Sequence, residues 1–214
     1  DTVEIAKRYG AIVHHQSWLG FAKQKAFAMS LCKNKWVFNL DGDEVLSEGL
    51  AQRIQSLINE NKADAFRLYF EDIFWGQPMS PNSGKRSIVR IYDKDKVSFP
   101  TDRLVHENVK IEKGAREADV SELVTHFGYF STEVLMNKQN SYSSLKAQEK
   151  FNKGANPSLV TLTLVFPIMF IKDYIFKRMF LSGRRGLVTA TINATYGFLK
   201  EAKLHELEFR SKNK

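Results

Sequence analysis

The chain has 214 residues, of which 43% are hydrophobic, and a formal net charge of +8. This length allows one domain with a buried core and an appendage. The single cysteine, Cys32, excludes an internal disulfide and is typical of a protein from a reducing compartment.

The predicted elements alternate between helices and strands in the first part of the chain. In order they are a helix over residues 2–9, a strand over 11–14, a helix over 20–31, a strand over 36–40, a helix capped by Ser47 and a strand over 65–70. Alternation of this kind predicts an α/β fold with a mostly parallel sheet flanked by helices.

The pattern changes further along the chain. Residues 75–84 are rich in turn formers and predict a loop, while strands are predicted over 87–92 and 120–126. The remaining pattern is helical. We therefore expect an α/β domain over residues 1–130 and a helical region over residues 131–214.

The positive charge lies at the C-terminal end. Residues 1–126 carry 18 Lys and Arg against 18 Asp and Glu, whereas residues 127–214 carry 14 against 6. This asymmetry predicts an anionic partner such as phosphate, nucleic acid or an acidic membrane. We do not expect nucleic acid, because the basic residues are mixed with apolar ones and no recognition motif accompanies them.

Asp41 and Asp43 come directly after a predicted strand, with Gly42 between them. Their spacing lets both carboxylates converge on one small volume. Oxygen ligands without a nearby thiolate suit Mg²⁺ or Mn²⁺, which in turn suit a diphosphate. The alternative is a solvated turn. A calcium loop does not fit, because Val45 and Leu46 stand where it needs an oxygen ligand and a glycine.

A set of short motifs occurs in a fixed order. They are residues 18–28, 36–37, 40–44, 105–107, 138–143, 180–187 and 198–204. Together they resemble family-2 glycosyltransferases of the GT-A fold. More narrowly, they are similar to bacterial lipopolysaccharide inner-core glucosyltransferases that act on heptose. The resemblance implies an inverting transferase that uses UDP-glucose and a divalent cation, Mg²⁺ or Mn²⁺.

The chain departs from that pattern in two places. Gly42 stands where the group usually has Ala, which is a mild change. The resemblance also implies a strand and an Asp-rich nucleotide-binding loop ahead of the segment that begins at Asp1. Because those residues help to hold the uridine, we expect weaker donor binding without them.

The resemblance also implies roles for individual acidic residues. Asp43, and less directly Asp41, would hold the cation that stabilises charge on the departing diphosphate. Glu107 would be the base that accepts the proton of the acceptor hydroxyl. The alternative for Glu107 is a structural salt bridge to Arg103. His106 would orient the acceptor, or simply pack.

Four further residues have both a functional and a structural interpretation. His126 follows an apolar strand, where the resemblance implies a third metal ligand and the alternative is a hydrogen-bonded core residue. Lys25 would face the donor or be a solvated helix residue. Trp75 and Gly76 would form an acceptor-side loop whose ring stacks on a sugar, or a hydrophobic anchor.

Arg86 and Arg90 are spaced i, i+4 in one predicted strand. This spacing puts both guanidinium groups on the same face of the sheet. There they could clamp a donor phosphate through paired hydrogen bonds. The alternative is pairing with surface carboxylates such as Asp93 and Asp95.

Residues 159–171 form an apolar run that we judge too short to span a bilayer. Basic residues follow it, which predicts a helix lying in an anionic membrane interface. The alternative is a helix packed on the catalytic domain or on a second subunit. We expect a cytoplasmic protein peripheral to the inner membrane, with a nucleotide sugar and a lipid A-core acceptor as partners. A non-catalytic remnant that binds anionic lipid is the rival hypothesis.

Overall fold

The computed structural model describes residues 1–100 and 108–213. Its strands are β1 (Trp36–Phe38), β2 (Glu44–Leu46), β3 (Ala65–Phe74), β4 (Gln77–Pro78), β5 (Ser87–Asp93), β6 (Val97–Ser98), β7 (Lys110–Ile111) and β8 (Glu117–Tyr129). The main sheet has the order β1-β5-β3-β8-β2, with β4 beside β3, and β6 pairs separately with β7. The α/β class is confirmed.

The strand directions differ from the prediction. Among the described strands β3 and β8 are parallel, and every other pair is antiparallel. The expectation of a mostly parallel sheet is therefore wrong. One physical reason is the connection from β3 to β5, which turns back through β4 and contains no helix to serve as the crossover that parallel neighbours usually have.

The helices are α1 (Thr2–Arg8), α2 (Phe21–Ser30), α3 (Glu48–Asn59), α4 (Thr132–Asn152), α5 (Leu159–Ile171) and α6 (Gly183–Lys212). The Oγ of Ser47 accepts the N–H of Leu50 at 3.2 Å, which confirms the predicted cap of α3. Residues 11–14 form no strand, which corrects that prediction. Their side chains are exposed, and no described strand pairs with them.

Three apolar clusters among the described residues hold the sheet to its helices, and one of them joins Phe74 of β3 to Leu135 of α4 and Ile192 of α6. Leu50 and Leu57 of α3 pack in a cluster that includes Phe66 and Leu68 of β3. Val37, Ala65, Val89 and Tyr92 belong to a second cluster, which Ala26 and Met29 of α2 contact. Because neighbouring residues of a strand point to opposite faces, β3 contributes to both clusters.

The elements after residue 131 are all helical among the described residues, as the pattern predicts. Helix α6 packs against both α4 and α5. A Cβ at Gly197 would lie 2.2 Å from Sδ of Met169, so α5 and α6 approach closely there. Lys203 of α6 donates from Nζ to Oδ1 of Asn140 and Oγ of Ser143 at 2.6 and 2.7 Å, which ties α6 to α4.

The helical segment extends beyond the predicted apolar run of residues 159–171. Helix α5 continues as a π-helical segment, Lys172–Phe176. The combined segment, Leu159–Phe176, has 18 residues and a mean hydropathy of 1.8, and only 6% of it is buried. By length and composition it could cross a membrane, so the argument that it is too short does not hold.

Candidate functional site

The turn that carries Asp41 and Asp43 joins two strands at opposite ends of the sheet order, β1 and β2. Backbone hydrogen bonds attach this turn to a neighbouring strand on each side. The N–H of Asn39 donates to the carbonyl of Arg90 in β5, and the N–H of Phe127 in β8 donates to the carbonyl of Asp43, both at 2.8 Å. The carboxylates therefore lie where the sheet curls and the side chains of β5 and β8 meet.

Asp41 is held by cations. Lys25 Nζ lies 3.0 Å from its Oδ1, and Arg90 Nη2 lies 2.6 Å from its Oδ2. Arg90 also donates to the buried carboxylate of Glu44, which accepts the N–H of Asp41. Burial would raise the pKa of Asp41, but the charges of Arg90 and Lys25 hold this pKa below its ordinary value. In this arrangement Asp41 is an ionised partner of Lys25 and Arg90.

The two arginines do share one face. The guanidinium carbons of Arg86 and Arg90 lie 4.0 and 5.5 Å from the ring centre of Phe70. Asp93 pairs with Lys35 at 3.0 Å, and not with either arginine among the described residues. Nη2 of Arg86 is buried and has no hydrogen-bond partner in the described part of the chain. It lies 3.9 Å from Oε1 of Glu44, within ion-pair range but beyond hydrogen-bond distance.

His126 lies between two carboxylates. Its Nδ1 is 2.8 Å from Oδ1 of Asp72, and its Nε2 is 3.3 Å from Oδ2 of Asp43. Burial would raise the pKa of Asp72, but His126 and Arg86 hold this pKa below its ordinary value. An ionised Asp72 can only accept hydrogen bonds, so Nδ1 of His126 carries a proton. Nε2 is then the nitrogen that faces Asp43.

A glycine permits this approach. A Cβ at Gly128 would lie 2.4 Å from Nε2 of His126 and 2.8 Å from Oδ2 of Asp43. A side chain at this position would therefore overlap both groups. The ring of Tyr129 meets that of His126 edge-on, with the centroids 4.9 Å apart, and limits the movement of the imidazole.

These groups line one cleft of 680 Å³. Its first wall includes Lys25, Asp41, Asp43, Glu44, Arg86, Arg90 and His126, and its second wall includes Lys138, Gln139, Tyr142, Met169, Lys172, Asp173, Lys177, Asn193 and Tyr196. The first wall belongs to the sheet and α2, and the second to the C-terminal helices. The structure thus brings together six of the predicted site residues.

Two other predicted residues lie elsewhere. Trp75 and Gly76 form the β3–β4 turn and are not among the described residues that line the cleft. Trp75 stacks on Phe74, with ring centroids 5.0 Å apart, and donates from Nε1 to Oγ1 of Thr132 at 3.1 Å. These contacts agree with the interpretation of Trp75 as an anchor. The predicted His106 and Glu107 fall outside the described residues.

The site fits a divalent cation in part. Asp43 supplies a carboxylate, and His126 supplies a ring nitrogen whose partner nitrogen is held by Asp72, an arrangement common at metal-binding histidines. No group of three or more His, Cys, Asp or Glu suited to a metal occurs among residues 1–100 and 108–213. A diphosphate would therefore have to supply further oxygen ligands.

Sequence reasoning missed several residues of this site. Asp72 and Glu44 were not predicted, although each is a carboxylate inside or next to an apolar strand, which is a usable signal. Gly128 is recognisable only once the position of His126 is known. Lys138 and Lys172 were not predicted either, because nothing local indicates that their helices face the sheet.

Comparison with known proteins supplies the class. The family described as glycosyl transferase family 2 matches residues 1–110. An uncharacterized glycosyltransferase of Rickettsia typhi is 33% identical over 223 residues, which cover 100% of this chain and 76% of that protein. The lipopolysaccharide core biosynthesis glycosyltransferase LpsC of Rhizobium meliloti is 28% identical over 194 residues, with coverages of 90% and 72%.

Among solved structures, S. aureus TarS 1-349 shares 11% identity and a TM-score of 0.43, with coverages of 99% of this chain and 79% of that one. The family match and the relatives define the protein as a transferase of sugars. The chain belongs to glycosyl transferase family 2. As a glycosyltransferase it acts on a nucleotide sugar and an acceptor.

Proposed function

We propose that this protein is a metal-dependent inverting hexosyltransferase that moves glucose from UDP-glucose onto a heptose of the lipopolysaccharide inner core. The order of the sequence motifs supports this assignment, as does the similarity to LpsC, which is named for lipopolysaccharide core biosynthesis. A transferase with another sugar or lipid-linked acceptor is the first alternative, and a non-catalytic remnant that binds anionic lipid is the second.

The observation that carries the proposal is the placement of Asp43 and His126 at 3.3 Å in a cleft lined with cations. These two residues would hold Mg²⁺ or Mn²⁺. The bound cation would offset the charge that develops on the departing diphosphate. Asp41 would contribute less directly to holding the cation, because its oxygens form ion pairs with Lys25 and Arg90.

The protein's own groups have defined tasks in this proposal. Arg86 presents a buried Nη2 donor to a phosphate oxygen, and Lys25 and Arg90 keep the turn of Asp41 in place. Glu107 accepts the proton of the acceptor hydroxyl as that oxygen attacks the sugar carbon. A single base with direct displacement inverts the configuration at that carbon. His106, Trp75 and Gly76 remain predicted acceptor-side residues.

We also propose that residues 131–214 place a catalytic unit, residues 1–130, on an anionic inner-membrane surface facing the cytoplasm. Exposed apolar side chains form a stripe along one face of the Leu159–Phe176 helix, at the positions Val160, Leu164, Ile168, Ile171 and Ile175. Exposed basic residues, including Arg178 and Arg184, lie just beyond this helix. Apolar and basic side chains together are typical of an interfacial segment.

A transfer assay tests the central proposal. We expect release of UDP from UDP-glucose in the presence of Mg²⁺ or Mn²⁺ and a heptose-bearing Kdo–lipid A acceptor, and no release after chelation of the metal. Turnover with another nucleotide sugar would favour the first alternative. The remnant hypothesis predicts no turnover and no effect of nucleotide on thermal stability, with binding to anionic vesicles retained.

A vesicle assay tests the membrane proposal. We expect the protein to sediment with vesicles that contain anionic phospholipid and to be released by high salt. Replacing Leu164 and Ile168 by Asn removes apolar surface without changing charge, and we expect binding to weaken. Equal binding by this variant and the unaltered chain would contradict the proposed interfacial face.

A further inference from the structure

The second wall of the cleft has a charge arrangement that the donor does not explain. The cations of the first wall are already matched by carboxylates: Lys25 and Arg90 contact Asp41, and Arg86 contacts Asp72. In the second wall, Lys177 Nζ lies 2.7 Å from Oδ1 of Asp173. Two lysines remain.

Lys138 and Lys172 face the same cleft from different helices. The Nζ of Lys138 lies 5.1 Å from the ring centre of Tyr129 and pairs with no carboxylate among the described residues. The side chain of Lys172 forms no hydrogen bond or ion pair within the described part of the chain, although its backbone carbonyl accepts the N–H of Lys177. Two lysines that share a cleft, and whose side chains contact no carboxylate of residues 1–100 and 108–213, raise its local affinity for anions.

Polar and aromatic groups accompany these lysines. Nε2 of Gln139 lies 3.5 Å from Oδ1 of Asn193, which places two amide side chains along the wall. Tyr142 and Tyr196 line it as well, and the ring of Tyr142 meets that of Phe21 edge-on, with centroids 5.8 Å apart. Flat rings cover the apolar faces of sugars, and amides bond to their hydroxyls. This wall is suited to a glycan.

The position of the wall separates it from the proposed donor contacts. Asp43, His126 and Arg86, which we assign to the metal and the diphosphate, all belong to the first wall. A sugar acceptor has to enter from the other side of the transferred hexose. The C-terminal helices are the described part of the protein that bounds the cleft there.

We propose that Lys138 and Lys172 form an acceptor subsite that binds a phosphate or carboxylate group carried by the acceptor glycan. This inference rests on the proposed transferase function. It assigns to the C-terminal helices a role in selecting acidic acceptors, in addition to contact with the membrane.

Substitution of each lysine by Gln tests this subsite, because Gln keeps most of the side-chain length and removes the charge. We expect Lys138→Gln and Lys172→Gln each to raise the KM for an acidic heptose-bearing core oligosaccharide about tenfold. The KM for UDP-glucose should not change. Lys172→Arg keeps the positive charge, so this variant should have the acceptor KM of the unaltered protein. Lys113→Gln, an exposed lysine outside the cleft, is the matched control.

Three forms of the oligosaccharide distinguish the source of the anion: untreated, dephosphorylated, and reduced at its carboxyl groups. Removing the recognised group from the oligosaccharide should weaken binding to the unaltered protein. The loss should be about as large as the loss that the Gln substitutions cause with the untreated oligosaccharide. The KM for the oligosaccharide without that group should be the same in the unaltered protein and in the Gln variants. A raised KM for UDP-glucose with an unchanged acceptor KM would assign the lysines to the donor and overturn the proposal.

Direct binding separates failure of this subsite from failure of the proposed function. If the unaltered protein shows no turnover, calorimetric binding of the same three oligosaccharides decides the matter. Binding that weakens in the Gln variants supports the subsite while the transferase assignment fails. Equal binding in all variants, or no binding at all, overturns the subsite. Unchanged melting temperatures show that the variants remain folded.

Discussion

Asp72 accepts a hydrogen bond from Nδ1 of His126 at 2.8 Å, although the two residues are 54 positions apart in sequence. Strands β3 and β8 run parallel, and their register places Asp72 directly beside His126. This contact determines which nitrogen of the imidazole faces the cleft. A second-layer carboxylate of this kind orients the ring and raises its basicity toward a metal.

Replacing Asp72 by Asn is expected to weaken cation binding about 10- to 100-fold, because the amide can present its NH₂ group to Nδ1 and favour the wrong tautomer. Calorimetric titration of Mn²⁺ in the presence of UDP measures this effect without turnover. Asp119→Asn is the matched control, since Asp119 accepts from the hydroxyl of Tyr69 at 3.0 Å outside the cleft. Unchanged Mn²⁺ affinity in Asp72→Asn would exclude this positioning role.

Replacing Asp43 by Ala is expected to abolish metal-dependent transfer and leave the fold intact. The side chain is 40% exposed, so its removal creates no buried cavity. Steady-state transfer assays over a range of Mn²⁺ concentrations, together with thermal unfolding, check both parts. Asp95→Ala removes a carboxylate from an exposed position and should behave like the unaltered chain. Retained metal-dependent turnover in Asp43→Ala would contradict the metal assignment.

The two glycines near the aspartates give a paired prediction. Gly128→Ala places a methyl group within 2.4 Å of His126 Nε2, so the imidazole or β8 has to shift, and we expect cation affinity to fall about tenfold or more. Gly42→Ala meets no atom within 4 Å and should be tolerated. The Mn²⁺ titration compares the two variants. Similar affinities in both would show that the close approach at Gly128 is not required.

Glu107→Gln keeps the size of the side chain and removes the base. We expect UDP and UDP-glucose to bind unchanged while transfer falls about 10²- to 10⁴-fold. Calorimetry with UDP and the transfer assay measure the two effects separately. Glu122→Gln, which alters an acidic residue outside the cleft, is the control. Full activity of Glu107→Gln would remove this residue as the base.

The packing of α6 on α4 should depend on pH. Burial would raise the pKa of Glu201, but hydrogen bonds and charges from Lys150 and Lys200 hold this pKa below its ordinary value of 4.5. A carboxyl whose pKa is lowered by folding contributes stability that is complete above its unfolded pKa. That contribution is lost as the pH falls through the folded pKa, so the free energy of unfolding should decline below pH 4.5.

Glu201→Gln removes this ionisation. We expect a less steep loss of unfolding free energy on acidification, together with lower stability at neutral pH, where Lys150 loses its partner at 2.6 Å. Urea unfolding between about pH 3 and 7 measures both. Glu122→Gln serves again as control. A variant with the same pH dependence as the unaltered chain would show that Glu201 does not contribute to acid sensitivity.

Much of the secondary structure was predictable from local patterns. The cap at Ser47 and the apolar face of α3 follow from residues within one or two helical turns of each other. The strand directions were not predictable in the same way. Whether neighbouring strands run parallel depends on the path of the connection between them, and the alternation of helices and strands does not specify that path.

The sequence by itself determined the types of most elements, the pair Asp41 and Asp43 after a strand, and the shared face of Arg86 and Arg90, because spacings of a few residues encode each of these. Only the tertiary structure decided that Asp72 orients His126 and that Gly128 makes room for the imidazole. It also decided that the C-terminal helices form the second wall of the cleft. These relationships join residues far apart in sequence, and they exist because the curled sheet and the packing of α6 bring separate elements together.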